Sequence, residues 1–221
     1  MKAQLSCSVV IPVGPGHEAY SDNAARSVLR AWEYNRGPFT GFWVDRVWDR
    51  DGTLGPSRAR NQGMDQRPAD WHFLLDADDA MMPEAFTLVD LEAPATFGAV
   101  MLDGQVSRDN VWPVDREVVR ERGALGTLSM GCFVRGDLGL RFREDLRMAE
   151  DFDFYCRLPG FTKRREALVN IGYRKPRAGY GEKDREAVGW LHHGNAIIES
   201  HFGPSEKPRP IRLRTATGVA P

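Results

Sequence analysis

Apolar residues follow two different patterns over residues 5–103 of the chain. Apolar runs, bounded by turn residues, predict strands at residues 5–13, 39–48, 71–75 and 97–103, and the runs at 5–13 and 71–75 predict strands that are buried on both faces. Between them, apolar residues recur at helical spacing and predict helices, at residues 21–36, from residue 57, and from Pro83, which suits a first helical turn. We expect Ser21 or Asp22 to cap the first helix. Strands that alternate with helices indicate an α/β fold whose parallel sheet is covered on both faces.

The second half of the chain has a less regular pattern. It predicts a strand at 128–134, a helix at 149–158, a strand at 167–174 and a helix at 183–202. We find no internal repeat and no clear linker. The expected organisation is one domain over residues 1–203, followed by a flexible tail at 204–221.

Composition limits the class of protein. The 221 residues are 42% hydrophobic and 28% charged, with a formal net charge of −1, which is typical of a soluble globular protein. That balance gives no overall basic field for binding nucleic acid. The three cysteines are odd in number and lack metal-ligand spacing, so we expect reduced thiols and a cytoplasmic location. We also find no signal-peptide pattern and no apolar run of membrane-spanning length, and we expect no transmembrane segment.

Three carboxylates follow the predicted strand at 71–75 within four positions: Asp76, Asp78 and Asp79. In open α/β sheets, ligands bind beyond the carboxyl ends of the strands. Carboxylates spaced as D-x-D suit a hard divalent cation, and Mg²⁺ is commonly held by one or two carboxylates together with substrate phosphates. The alternative is a solvated acidic turn in which Asp79 caps the helix that begins at Pro83.

Four segments, taken in series, resemble a family of known enzymes. They are SVVIPV (8–13), DRDGTLGPSRARNQG (49–63), WHFLLDADDAMMPEAF (71–86) and MAEDFDFYCRLPG (148–160). Their order and spacing are similar to those of glycosyltransferases of the GT-A fold, closest to family 2, over residues 5–175. The resemblance implies a Rossmann-like, mostly parallel sheet flanked by helices, with a smaller mixed-sheet portion on the acceptor side.

The resemblance also implies which residues bind the donor. Pro12 and Val13 match the end of the strand that holds the nucleobase. Asp49 matches the carboxylate that reads the base edge, and Arg58 a position that contacts the base or the diphosphate. The alternatives are strand core for Val13, turn stabilisation for Asp49 and, for Arg58 and Arg60, a solvated helix face.

Metal and catalytic roles follow from the same resemblance. Asp76 matches a carboxylate near the ribose and the metal, and Asp78 a ligand of Mn²⁺ or Mg²⁺. Asp151 matches the general base, with Asp153 as its rival and helix capping as the alternative. Successive helical residues point about a hundred degrees apart, so Glu150 and Asp151 are not expected to face the donor together. At the first helical turn, the helix dipole is expected to keep Asp151 ionised.

The resulting hypothesis is an inverting, metal-dependent glycosyltransferase that uses a nucleotide-diphosphate sugar, with a UDP-sugar favoured. The acceptor stays open among a glycan, a small molecule, a protein and a modified nucleic acid. One alternative is a nucleotidyltransferase, although VGPGHEAY (13–20) lacks the basic residues expected after the first strand. The other is a GT-A domain that binds a sugar nucleotide without turnover.

Basic residues late in the chain are further candidates. The resemblance implies that His192 or His193 completes the metal site, and the alternative is a pair of histidines on a helix surface. It also implies that Arg174, Lys175 and Arg177 contact the diphosphate, and the alternative is an exposed basic loop.

Overall fold

A computed structural model describes residues 4–102, 104–106, 130–146, 149–171, 196–197 and 199–201. Within these residues the strands are β1 (Leu5–Val13), β2 (Phe39–Trp48), β3 (Trp71–Leu75), β4 (Ala80–Met81), β5 (Ala95–Leu102), β6 (Gln105–Val106), β7 (Gly131–Arg135) and β8 (Thr162–Asn170). The helices are α1 (Glu18–Tyr34), α2 (Gly55–Gln66) and α3 (Glu150–Cys156).

The strands of the described residues form one sheet in the order β2-β1-β3-β7-β5-β8-β4, with β6 paired to β5. Strand β1 runs parallel to both β2 and β3, so these three strands end at the same edge of the sheet. Strand β7 is antiparallel to β3 and β5, while β8 is parallel to β5. The predicted α/β fold, with a parallel portion and a smaller mixed portion, is confirmed.

Helices α1 and α2 cover opposite faces of the parallel portion. The Trp32 ring of α1 stacks on Phe42 of β2, with ring centroids 4.2 Å apart. Gly63 of α2 lies against Val10 and Val47. Because alternate residues of a strand point to opposite faces, Phe42 and Val47 of β2 face different helices. The continuous apolar runs of β1 and β3 are therefore buried from both faces, as the sequence indicated, whereas β2 lies at the edge of the sheet and is mostly exposed or partly buried.

The first helix begins earlier than the sequence predicts. Helix α1 starts at Glu18, directly after a turn in which the His17 N–H donates to the Gly14 carbonyl at 3.1 Å. Ser21 lies inside the helix and its hydroxyl donates to the Glu18 carbonyl. Asp22 forms an ion pair with Arg46 of β2. The prediction that Ser21 or Asp22 caps this helix is therefore wrong.

No α-helix begins at Pro83. A single 3-10 turn, Ala85–Thr87, occupies this position. Phe86 is fully buried and packs edge-on against Trp32 and Phe39. Gly37 lies so close that a Cβ there would stand 1.9 Å from the Phe86 carbonyl oxygen. Tertiary packing of Phe86 thus replaces the helix that the local sequence favours.

The second half of the chain differs from the predicted strands at β8, which includes charged residues as well as the apolar run. Strand β8 begins at Thr162, ahead of the apolar run that starts at Ala167, because Thr162 and Lys163 pair with Thr96 and Phe97 of β5. Most of the predicted helix at 183–202 lies outside the described residues, but residues 196–197 and 199–201 are helical. Residues 204–221 also lie outside, so the domain limits stay predictions.

No helix of the described residues combines the length and the apolar character needed to cross a membrane.

Gly63 supplies a test of the α2–β1 contact. A Cβ at this position would lie 2.3 Å from Cγ1 of Val10, and a valine branch cannot swing away. We expect Gly63→Ala to destabilise the protein by about 1–3 kcal/mol through overpacking, although the same change in an exposed helix gains about 1 kcal/mol. Denaturant unfolding measures the effect. The control, Gln62→Ala at the exposed neighbour, should stay within about 0.5 kcal/mol of the parent; a stabilised Gly63→Ala variant would contradict this packing.

Candidate active site

The loops that follow β1, β2 and β3 meet at the shared edge of the sheet. The Asp49 N–H, at the end of β2, donates to the Val13 carbonyl of β1 at 2.9 Å. His17, in the loop after β1, places Nε2 3.9 Å from Oδ2 of Asp78, in the turn after β3. The structure therefore brings the ends of all three strands together, as expected for a ligand site of an open α/β sheet.

Pro12 and Val13, the residues expected beside the nucleobase, end the central strand of this group. Val13 is buried and Pro12 is partly buried. Their contact with a nucleobase stays a prediction.

Asp49 holds the start of α2. Its two carboxylate oxygens accept hydrogen bonds from the backbone N–H groups of Leu54 at 3.0 Å and Gly55 at 2.8 Å. The side chain is buried, and these bonds satisfy N–H groups that a helix start leaves without partners. This arrangement agrees with turn stabilisation by Asp49. A contact between Asp49 and a nucleobase stays a prediction.

The segment SRARNQG (57–63), an S-x-A-R-N-x-G motif, has a structural reason at several of its positions. Asn61 forms a two-way link with the backbone of Phe142: its Nδ2 donates to the carbonyl at 2.9 Å, and its Oδ1 accepts from the N–H at 2.8 Å. Ala59 is buried, and Gly63, which has no side chain, lets α2 lie close to β1. The motif thus attaches α2 to the sheet on one side and to the segment before α3 on the other.

The two arginines of the motif have different environments. Arg58, the predicted donor-binding residue, is 58% exposed and its Nε donates to Glu144 at 2.9 Å. It lines an open cleft of about 410 Å³ whose other lining residues are Leu54, Asn61, Gln62, Asp65, Gln66 and Glu144. Its contact with a base or diphosphate stays a prediction.

Arg60 is only 5% exposed and lies at the centre of the site. One terminal nitrogen of its guanidinium donates to Oδ1 of Asp76 at 2.8 Å, and the other donates to Oε1 of Glu150 at 2.9 Å. The expectation that Arg60 lies on a solvated helix face is wrong. A signal existed: Arg60 lies three residues after Ser57 and four before Met64, and both are buried on the same helix face.

The charge of Arg60 is balanced within the site. Burial alone would lower the pKa of the guanidinium, but the negative charges of Asp76 and Glu150 outweigh burial and raise it. A buried cation is tolerated when it is paired and hydrogen-bonded. The arginine therefore stays charged and links the turn after β3 to the first turn of α3.

The D-x-D turn after β3 presents two accessible carboxylates. The side chain of Asp76 is 30% exposed, although one oxygen is bound by Arg60, and that of Asp78 is 49% exposed. Asp79 is buried instead, and its N–H donates to the Asp76 carbonyl at 3.1 Å. Since no α-helix begins at Pro83, Asp79 does not have the helix-capping role that the sequence suggested.

The carboxylates of Asp76 and Asp78 suit a divalent cation that takes its other ligands from a bound substrate and from water. Among the described residues, no group of three or more His, Cys, Asp and Glu side chains could hold a metal ion by itself. Mg²⁺ commonly binds one or two protein carboxylates and takes its other oxygen ligands from phosphate and water. Asp76 and Asp78 have the oxygen chemistry for that arrangement, and both remain open to solvent.

Asp151 belongs to the same cluster of charges. Its Oδ1 accepts a hydrogen bond from the Phe152 N–H at 2.7 Å. Burial, reinforced by the negative charge of Glu150, raises the pKa of Asp151 to about 7, while the positive charge of Arg60 opposes the rise. Burial therefore opposes the ionisation that the helix dipole was expected to favour.

The start of α3 has an unusual backbone. Ala149 precedes Glu150 in the left-handed region, with φ 58° and ψ 27°, which costs a non-glycine residue about 1–2 kcal/mol. Its side chain is held in a small buried cluster with Phe152 and Ile197.

Glu150 and Asp151 make different direct hydrogen bonds, as their helical spacing predicts, yet both interact with Arg60.

Asp153, the rival base, is a structural anchor. It is fully buried and contacts three basic groups: Nε of Arg157 at 2.8 Å, Nε2 of His201 at 3.1 Å and a terminal nitrogen of Arg143 at 3.8 Å. Through His201 it attaches the C-terminal helical residues to α3. A carboxylate enclosed in this way does not present itself to an acceptor.

The remaining candidates lie outside the described residues. They are His192, His193, Arg174, Lys175 and Arg177.

This architecture is similar to that of several solved structures. Neither a protein-family model nor a curated protein sequence matches the chain. Among solved structures, residues 1–349 of S. aureus TarS in complex with UDP-GlcNAc share 18% identity with a TM-score of 0.54, over 89% of this chain and 71% of that one.

A second group of similar structures is glucosyl-3-phosphoglycerate synthase from Mycobacterium tuberculosis. In complex with Mn²⁺, UDP-glucose and phosphoglyceric acid, it shares 15% identity with a TM-score of 0.55, over 93% of this chain and 83% of that one. In complex with Mg²⁺ and UDP, it shares 14% identity with a TM-score of 0.56, over 93% and 82%. Both proteins have the GT-A fold. Together with the sheet topology and the D-x-D turn, these likenesses establish that the chain has the GT-A fold.

Proposed function

We propose that this protein is a glycosyltransferase that moves a sugar from a nucleotide-diphosphate donor, with metal assistance and with inversion at the anomeric carbon. The observation that carries the proposal is the bond pattern of Arg60. It joins the D-x-D turn to α3, so that the residues suited to hold a donor lie beside a carboxyl suited to accept a proton. The GT-A fold supports the same function.

The donor side of the proposal rests on Asp76 and Asp78. These two carboxylates would hold Mn²⁺ or Mg²⁺ together with the donor diphosphate. When bound, such an ion supplies Lewis-acid stabilisation of the diphosphate leaving group. Support comes from the glucosyl-3-phosphoglycerate synthase structures, which contain UDP with either metal.

The acceptor side rests on Asp151. An acceptor hydroxyl forms its bond to the anomeric carbon as the bond to the diphosphate breaks, and its proton passes to the Asp151 carboxylate. One displacement of this kind inverts the anomeric centre. A base works best when its pKa lies near the working pH, and the pKa of Asp151, about 7, meets that condition.

The nucleotide is proposed to be UDP, because both groups of similar structures contain UDP or a UDP-sugar. Pro12, Val13 and Asp49 would form the nucleobase end of the pocket. Asp49 would act there mainly by fixing the loop, since both of its oxygens already accept backbone hydrogen bonds. Arg58 would have to exchange its bond to Glu144 for one to the donor.

A nucleotidyltransferase is less well supported. The loop between β1 and α1, residues 14–17, carries no lysine or arginine to meet a triphosphate. A non-catalytic sugar-nucleotide-binding domain is also less well supported, because Asp78 and Asp151 both keep the chemistry that turnover requires. A panel of sugar nucleotides, assayed for hydrolysis, would separate the three functions.

Calorimetry with UDP tests the donor and metal proposals together. We expect UDP to bind the parent protein more tightly with Mn²⁺ than without it. In Asp78→Ala the metal-dependent affinity should fall by about 10–150-fold, since losing a bond to a charged group costs about 1.5–3 kcal/mol.

The matched control for this titration is Asp137→Asn. Asp137 is an exposed carboxylate that follows β7 at the opposite edge of the sheet, and its replacement should leave the affinity unchanged. Undiminished, metal-dependent binding by Asp78→Ala would remove Asp78 from the site. Failure of the parent protein to bind any nucleoside diphosphate would count against the whole proposal.

Turnover tests the role of Asp151. Asp151→Asn keeps an oxygen for the Phe152 N–H but cannot accept a proton. We expect turnover to fall by about 10²–10⁴-fold, with UDP affinity nearly unchanged. In the parent protein, kcat/KM for the donor should rise with pH up to about 7 and then level off, because only the ionised carboxylate acts as a base. Near-parental turnover by the variant would make the assignment wrong.

The same carboxyl should reduce the stability of the fold at neutral pH. The pKa of Asp151 is 3.8 by its ordinary value and about 7 in the folded protein. Between these values the folded state keeps a proton that the unfolded state has lost, so the free energy of unfolding falls as pH rises. We expect Asp151→Asn to be more thermostable than the parent, with an excess that grows through this window and is constant above it.

The control for the stability measurement is Asp145→Asn. Asp145 is exposed, and its hydrogen bond from Arg143 lowers its pKa, so its replacement should give no stabilisation at high pH. Melting temperatures measured across the pH range decide the matter. An excess stability of Asp151→Asn that is the same at all pH values would contradict the shifted pKa.

A further inference from the structure

Arg60 connects two carboxylates that come from different parts of the fold. Asp76 follows β3, and Glu150 begins α3, yet each lies within 2.9 Å of a different terminal nitrogen of one guanidinium. The guanidinium group is planar and rigid, with its donors in a fixed fork. The two bonds therefore set the distance between the donor-binding turn and the first turn of α3.

A second set of contacts joins α2, which carries Arg60, to α3. The guanidinium of Arg60 lies over the Phe142 ring, 5.2 Å from its centroid. Phe142 in turn stacks on Phe154 of α3, with ring centroids 4.2 Å apart and planes within 10°. Because Asn61 holds the backbone of Phe142 at both its N–H and its carbonyl, this stack is anchored to α2.

We propose that Arg60 is a positioning residue of the transfer reaction, which holds α3 against the D-x-D turn and so sets where Asp151 stands relative to the donor. This inference rests on the proposed function. Arg60 is almost completely buried and both of its terminal nitrogens are engaged by carboxylates. It acts through those carboxylates and not by contact with the substrate.

The electrostatics of the cluster explain why a cation is needed at this point. Asp76, Glu150 and Asp151 are three acidic groups in a partly buried region, and Arg60 is the basic group that faces all of them from α2. Without its charge, the carboxylates would repel one another at reduced dielectric screening. The turn after β3 and the start of α3 would then move apart.

The proposal also gives Glu150 a role. Glu150 is the partner through which Arg60 holds α3 and is not a base. Its replacement by glutamine should therefore lower turnover in the same way as a change at Arg60.

Steady-state hydrolysis of UDP-glucose with Mn²⁺ tests the proposal, with Arg60→Lys, Arg60→Met and Glu150→Gln as variants. Lysine keeps the charge but cannot reach both carboxylates as a fork. We expect turnover to fall by about 10–100-fold in Arg60→Lys, the usual scale for a misplacement of about 1 Å, and KM to change by less than about threefold. The matched control is Arg141→Met, which removes a partly exposed arginine that pairs with Asp65 of α2, the helix that carries Arg60.

A purely structural role would lower the melting temperature and leave turnover per folded molecule unchanged, and that result would overturn the proposal. Equal losses of UDP affinity and turnover would also overturn it, because Arg60 would then bind the donor itself. Parental turnover in Glu150→Gln would show that the link to α3 is not needed. Arg60→Lys keeps the proposal open to refutation if Arg60→Met fails to fold.

Titration of the metal-free protein by carboxyl ¹³C NMR gives a readout that needs no activity. The groups that act on Asp151 are Glu150 of α3, Arg60 of α2 and Asp76 after β3. In Arg60→Met, the pKa of Asp151 should rise above its value in the parent protein; the same pKa in both proteins would overturn the proposal. If the parent protein neither binds UDP nor hydrolyses UDP-glucose, the proposed function fails, and the titration still decides whether Arg60 holds this cluster.

Discussion

The geometry of the candidate site depends on one buried cation. Arg60 is charged, almost inaccessible to water and bonded to Asp76 and Glu150 at once. A buried charge is costly unless its hydrogen bonds are made, so the positions of both carboxylates are constrained by the need to satisfy it. The edge of the parallel sheet and the first turn of α3, which are far apart in sequence, are thereby held at one distance.

The rest of the fold supplies the rigidity that this arrangement needs. On one face of the sheet, Phe86 packs with Trp32 and Phe39. On the other, Gly63 lets α2 approach β1 closely, and Asn61 fastens α2 to the backbone before α3. Close packing of this kind leaves little room for adjustment. The motif around Arg60 is therefore mainly an attachment of α2 to its neighbours, and Arg60 is the member that reaches the site.

The start of α3 shows features that reduce stability and suit chemistry. Ala149 adopts a left-handed conformation that is unfavourable for a residue with a Cβ, and burial raises the pKa of Asp151 to about 7. Both features are tolerated because Phe152 and Ile197 bury Ala149 and because Asp153 anchors the helix to basic groups around it. Backbone strain and raised pKa values are typical of functional sites.

The sequence by itself determined the layout of the first half and the edge at which the site lies. Buried parallel strands require continuous apolar runs, and that requirement is local enough to read from residues 5–13 and 71–75. The acidic turn after β3 was equally visible, since a carboxylate cluster after a buried strand has few structural uses. Only the tertiary structure decided the partners of those carboxylates. Arg58 and Arg60 are identical in type and separated by one residue, and only their contacts across the fold distinguish the exposed partner of Glu144 from the buried partner of Asp76. Likewise, the aromatic packing of Phe86 replaced a locally favoured helix, and burial raised the pKa of Asp151. In each case the deciding interaction joins residues that are distant along the chain, and its strength depends on exclusion of water, which no local pattern records.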